Sequence, residues 1–178
     1  FSVEPTDANT DTVISPDIEV QIQDAFGNLV NRIIILIYKN FNRKIPQYGN
    51  YNHIDLKLIS QVKQIPTQII NKYNELKIHE ALDSIMNLFR LVNKYLEVKA
   101  PWKLIKKDNS EGSDAATTLY IAAEILRIGT VLIYPVIPNK SNEVLIYLGI
   151  SQSNETSFGA LKVGTKIYLP KNLFPRIE

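Results

Sequence analysis

An all-α fold, an up-and-down helical bundle with an extended C-terminal tail, is predicted by three features of this 178-residue chain. Leu82, Ile85, Met86, Phe89, Val92 and Leu96 recur at three- and four-residue spacing, the stripe by which a helix buries one face. Glycine is scarce, at 7 residues, which argues against a loop-rich or all-β protein. No strand–helix alternation of the nucleotide-binding kind is visible, and no glycine-rich phosphate loop. Hydrophobic residues make up 45% of the chain, enough for a real core, and the length fits one domain with a tail.

Residues 1–15 are polar, with Pro5 and several Asp and Thr, and read as a lead-in or linker. Ser15-Pro16-Asp17 is a helix-start signal: a serine cap, a proline in the first turn and an acid at the positive end of the dipole. That helix is predicted to run to about Lys44, ahead of Pro46. Its block Ile33 to Ile37 favours strand by β-propensity. Helix is retained because no turn residue interrupts Asn28 to Lys44 and the polar residues fall at helical spacing. Residues 47–52 form a loop. A second helical stretch covers about Asp55 to Asn74, kinked or broken by Pro66. The striped helix runs from about Ile78 to Val98, and Pro101 ends the pattern.

Residues 110–113 form another loop, after which Ser113-Asp114 caps a helix to about Tyr134. Its apolar run from Leu119 to Pro138 contains Glu124 and Arg127, three apart on one face. That pair and the closing prolines mark a buried central helix and not a membrane span. Ser141 to Leu148 reads as a short helix closed by Gly149. Residues 151–178 alternate polar and apolar between Gly and Pro. They are expected to lie extended across the bundle or a partner domain, more mobile than the helices. The expected organisation is thus lead-in 1–15, helical domain 16–150 and tail 151–178.

Composition excludes several chemistries. There is no cysteine, hence no disulfide, thiolate zinc site or cysteine nucleophile. His53 and His79 are the two histidines, and neither has metal-spaced partners, so both are read as helix-surface residues. No acid, base and nucleophile converge, which argues against an independent enzyme. Net charge is +2, so a nucleic-acid site must be a local patch. The chain begins at Phe1 without Met or a signal-like segment and reads as an excised fragment.

Two places have the makings of such a patch. On the first helix, Asn28, Arg32, Lys39 and Arg43 share one face at about 100° per residue. An amide and a guanidinium one turn apart suit the edges of splayed-out bases; a solvated polar face would look the same. The second place holds the sole tryptophan, Trp102, directly after Pro101 and among Lys99, Lys103, Lys106 and Lys107. A ring among cations can stack on a base while lysines meet phosphate. A lone tryptophan in a domain of this size is usually a core residue, and lysines suit any helix C-terminus.

Phe26-Gly27-Asn28-Leu29-Val30-Asn31-Arg32 resembles a Leu-Gly-Asn-Leu-Val-Asn-Arg segment of the methionyl-tRNA synthetases. Asn93-Lys94-Tyr95, Ala100-Pro101-Trp102-Lys103 and Leu173-Phe174-Pro175-Arg176-Ile177-Glu178 resemble further segments of that family, in the family's order, and the resemblance spans about residues 20–178. The one departure in the first motif is Phe26 where leucine is usual. The resemblance implies the helical anticodon-binding domain of a class Ia synthetase. It implies that Asn28, Arg32 and Trp102 contact the CAU anticodon of methionine tRNA while Pro101 fixes the turn. Lys39, Arg43, Lys99, Lys103 and Lys106 are the accompanying candidates for phosphate contact. The partners implied are the anticodon stem-loop of methionine tRNA and the catalytic domain of a parent methionine–tRNA ligase, in the cytoplasm and without a membrane. No cofactor or metal is implied in this segment; ATP with magnesium would serve the parent's catalytic domain, and the segment alone should not charge tRNA. The alternatives are the same domain of another class Ia synthetase, or a helical scaffold that binds a protein through Trp102 as a hot spot.

Overall fold

A computed structural model describes residues 22–151, 154–171 and 173. Among these residues it contains seven α-helices and no strand, only an isolated antiparallel bridge between Lys44 and Lys166. A π-helical turn, Gln23–Gly27, leads directly into α1 (Asn28–Asn40). It is followed by α2 (His53–Val62), α3 (Ile65–Asn74), α4 (Ile78–Lys99), the single turn α5 (Pro101–Leu104), α6 (Asp114–Ile133) and α7 (Pro138–Tyr147). The predicted start at Ser15-Pro16-Asp17, the lead-in segment and Phe174 to Glu178 lie outside the described residues.

The helix α6 sits at the centre, as its apolarity requires. It is long and apolar enough to cross a membrane, but 94% of its most apolar stretch is buried inside the protein. Ser113 Oγ accepts the amide of Ala116 at 3.2 Å and starts it. Gly129 opens a notch on its surface: a Cβ there would stand 2.3 Å from the ring of Phe89 on α4. Phe89 in turn stacks on Phe26 at 4.9 Å, so the two flanking helical segments meet at that notch. The predicted stripe of α4 is buried throughout, together with Ala81, Leu88 and Tyr95.

In α1, Leu29, Val30, Ile33, Ile34 and Ile37 are buried while Asn28 is exposed. Burying one such isoleucine yields about 1.5–3 kcal/mol. That exceeds the whole β-propensity scale of ~1 kcal/mol, which is why a β-branched run is helical here. The helix stops at Asn40 and not at Lys44. Phe41 and Ile45 turn inward, 2% and 1% exposed, and Asn42 and Arg43 take left-handed conformations at φ 48 and 59. The tail accounts for the early end. Ile45 N donates to Thr165 O at 2.9 Å, Gly164 N to Ile45 O at 2.8 Å, and Ile167 N to Arg43 O at 2.9 Å. Backbone groups claimed by the tail cannot continue a helix.

The second predicted stretch is broken as expected, into α2 and α3, with Pro66 in the first turn of α3. It begins at His53, earlier than predicted, because Asn52 and Asp55 form a reciprocal capping box. The last helix also starts earlier, at Pro138, and Gly149 follows its end at φ 76. A Cβ at Gly149 would lie 2.1 Å from Lys166 O, so glycine is required by the passing tail as well as by the turn. His53 and His79 are both exposed.

The tail crosses the bundle and docks on charges. Arg127 and Glu124 form an ion pair at 2.8 Å, with side chains 2% and 0% exposed. The Glu124 carboxylate also accepts the amides of Gly159, Ala160 and Leu161 at 2.7, 2.9 and 3.2 Å. The Arg127 guanidinium donates to the carbonyls of Glu155 and Ser157. Leu161, Ile167 and Leu173 are the buried apolar residues of this tail. Replacing Glu124 by Gln leaves the Arg127 charge buried without its partner. The expected loss is about 3–5 kcal/mol in denaturant unfolding, with faster hydrogen exchange at the amides of residues 159–161.

Buried phenols set the alkaline limit. Burial pushes Tyr73 up to about 12, and burial with the neighbouring Tyr48 pushes Tyr51 up to about 12. Tyr95 and Tyr120 are raised further, again by burial first, then by the charges of Asp55 and Glu124 respectively. Unfolded tyrosine ionises near pH ~10, so above that pH the folded state binds more protons than the unfolded state. Stability is therefore full below about pH 10 and falls as pH rises from there towards 12. Denaturant titrations at rising pH, read beside the absorbance of tyrosinate, should show the decline beginning before the buried phenols ionise.

Candidate nucleic-acid interface

Helix α4 ends because Pro101 cannot donate an amide and its ring restricts the residue before it. Ala100 takes the left-handed conformation, φ 46, and Pro101 opens the single turn α5 with its side chain buried. The chain thereby reverses away from α4, and Trp102 follows, half-buried. Arg32 projects from the middle of α1 and is also half-exposed. Its Cζ lies 4.5 Å from the centre of the Trp102 ring, although seventy positions separate the two in sequence. This is a cation–π contact, worth ~0.5–1 kcal/mol at an exposed site.

Asn31, Arg32, Ile35, Leu36 and Trp102 line an open groove between α1 and α5. Asn28 stands one turn before Arg32 on α1, exposed. The lining combines Ile35, Leu36 and the indole with one amide, Asn31, and one guanidinium, while Asn28 is not among the lining residues; the mixture suits a flat ligand with polar edges. Lys103, Lys106 and Lys107 are exposed just beyond Trp102, and Lys39 is exposed in the last turn of α1.

Two expectations need correcting. Arg43 is not on the face of the first helix. It lies in the turn beyond Asn40, exposed, its guanidinium 5.0 Å from the ring of Tyr38 and its carbonyl bonded to the tail. Lys99 is not a surface cation. Its side chain is 6% exposed, and its Nζ stands 3.2 Å from Asp55 Oδ1. The cause is tertiary: α2 brings a fully buried carboxylate to the last turn of α4. Asn31, Ile35 and Leu36 were missed as lining residues, although Asn31 adjoins Arg32 and Ile35 and Leu36 follow it at about one turn. Asp55 was missed as well, and the Asn52-x-x-Asp55 spacing was its signal.

A family model described as the anticodon binding domain of methionyl tRNA ligase matches residues 45–178. The chain belongs to this family. It is 32% identical over 160 residues to a methionine–tRNA ligase of Metallosphaera sedula, covering 88% of this chain and 28% of that protein. It is 30% identical over 175 residues to the Mycobacterium tuberculosis methionine–tRNA ligase, covering 95% of this chain and 33% of that one. The crystal structure of the apo M. tuberculosis methionyl-tRNA synthetase superposes with a TM-score of 0.80 at 30% identity, over 90% of this chain and 33% of that chain. The M. tuberculosis enzyme in complex with methionyl-adenylate gives the same TM-score at 29% identity, over 91% and 33%. The chain thus spans between a quarter and a third of the length of these two relatives.

Membership in this anticodon-binding family fits a tryptophan kept at the surface. Trp102→Ala should lower stability by only about 1 kcal/mol, the scale of a lost cation–π contact and a half-buried ring. A core tryptophan would cost ~3–5 kcal/mol. Chemical denaturation of the purified chain decides between the two, and a loss in the core range would return Trp102 to the interior.

Proposed function

We propose that this domain reads the CAU anticodon of methionine tRNA on behalf of a parent methionine–tRNA ligase. The observation that carries the reading is the Arg32–Trp102 pair: a guanidinium and an indole in contact, both half-exposed, at the mouth of an apolar groove. An unstacked anticodon base stacks on Trp102, and Asn28 and Arg32 hydrogen-bond base edges. Lys39, Lys103 and Lys106 meet phosphate around it, with Arg43 further out, and Pro101 holds the turn. Stacking supplies ~1–3 kcal/mol per base, and each good bidentate contact adds about 1–3 kcal/mol of discrimination. The groups here bind and select; none is arranged for bond-making. Methionine activation with ATP and magnesium belongs to the catalytic part of the parent, which works in the cytoplasm on soluble tRNA.

The test is binding of a CAU stem-loop to the 178-residue chain across a range of salt. Arg32→Ala should weaken binding and narrow the gap between CAU and an altered anticodon. Trp102→Ala should weaken it by roughly tenfold for each ~1.4 kcal/mol of stacking lost. Lys106→Ala should weaken all stem-loops alike and flatten the salt slope, because a phosphate contact carries no base information. Affinity that is indifferent to salt and to the anticodon sequence would point instead to an apolar protein partner and overturn the reading.

A further inference from the structure

Beside the interface lies a buried polar cluster that the groove itself does not use. Asp55 is fully buried, and its Oδ1 accepts the phenol of Tyr95 at 2.8 Å and faces Lys99 Nζ at 3.2 Å. Its Oδ2 accepts the backbone amide of Asn52 at 3.0 Å, and Asn52 Oδ1 accepts the amides of Ile54 and Asp55. One carboxylate therefore clamps the first turn of α2 to the last turn of α4. Lys99 is the final residue of α4, and Tyr95 is one turn before it.

We infer that Asp55, Tyr95 and Lys99 are positioning residues that set where Trp102 stands. This rests on the reading of Trp102 as an anticodon contact. Only Ala100 and Pro101 separate the clamped turn from the indole. The ring of Pro101 fixes its own φ, and Ala100 is held left-handed, a conformation that persists in a residue with a side chain only when its surroundings impose it. With both linking residues fixed, a rotation of the last turn of α4 is passed directly to Trp102 and so to its distance from Arg32. Fold stability alone does not call for charges here. A buried ion pair is commonly matched or exceeded by apolar residues of the same size, because desolvation offsets the attraction. What a carboxylate with three directional partners adds is one allowed geometry.

The 178-residue chain carries its own probe, since Trp102 is the sole tryptophan. The double variant Asp55→Asn/Lys99→Met removes both charges at nearly constant volume and keeps an acceptor for the Asn52 amide. The variant should unfold cooperatively. In its folded state, acrylamide quenching of Trp102 should rise, and affinity for the CAU stem-loop should fall roughly tenfold. Tyr95→Phe removes one hydroxyl and leaves the ring in place. It should move both readouts the same way by a smaller step, and it carries the test should the double variant fail to fold. Unchanged quenching in a folded variant overturns the inference. So does a rise in quenching with RNA affinity unmoved, where Trp102→Ala does weaken binding. If Trp102→Ala leaves CAU binding untouched, the anticodon reading itself has failed; the quenching result then still decides whether the clamp holds the indole.

Discussion

Two opposite charges at the middle of the most apolar helix organise this molecule. Glu124 and Arg127 are buried almost completely, and a buried charge is tolerated only when its hydrogen-bonding capacity is filled. Here the filling comes from backbone atoms far along the chain: three amides for the carboxylate and two carbonyls for the guanidinium. The charges can be buried only if the tail is docked, and the tail's amides are satisfied there only if the charges are present. Several other features follow from the tail's path. The first helix ends early, its turn residues bond to residues 164–167, and Gly149 must lack a side chain where Lys166 passes.

The same device recurs at a smaller scale around Asp55, between the start of α2 and the end of α4. Apolar burial explains why the helices associate; it is non-directional and leaves their ends free to settle in more than one way. Directional contacts at buried carboxylates choose one arrangement. In one case a strap is fixed and in the other a helix terminus. If Arg32 and Trp102 read bases as proposed, they need that precision, because stacking and base-edge hydrogen bonds fail over small displacements, whereas lysine contacts to phosphate tolerate them.

Local signals in the sequence were legible for local reasons. The stripe of α4, the break before Pro66, the serine cap of α6 and the glycine after α7 each depend on a few neighbouring residues, and each is where the pattern puts it. Arg32 and Trp102 were singled out by residue type and by resemblance, and they meet in space. What could not be read was decided by distant parts of the chain. Lys99 looked like a surface cation until α2 supplied a buried carboxylate. Arg43 looked like the next residue on a helical face until the tail took the backbone there. The spacing of Glu124 and Arg127 put both on one helix face, but their further partners are main-chain atoms about thirty residues later, which no side-chain pattern announces.

The account stands or falls on Trp102 touching RNA. As the sole tryptophan it reports alone, so its emission can be followed while a CAU stem-loop is titrated into the chain. Direct stacking of a base on the indole predicts saturable quenching, complete at the same concentration as binding measured by an independent label on the RNA, and reduced when the anticodon is altered. A stem-loop that binds by its label yet leaves the emission of Trp102 unchanged would contradict the account.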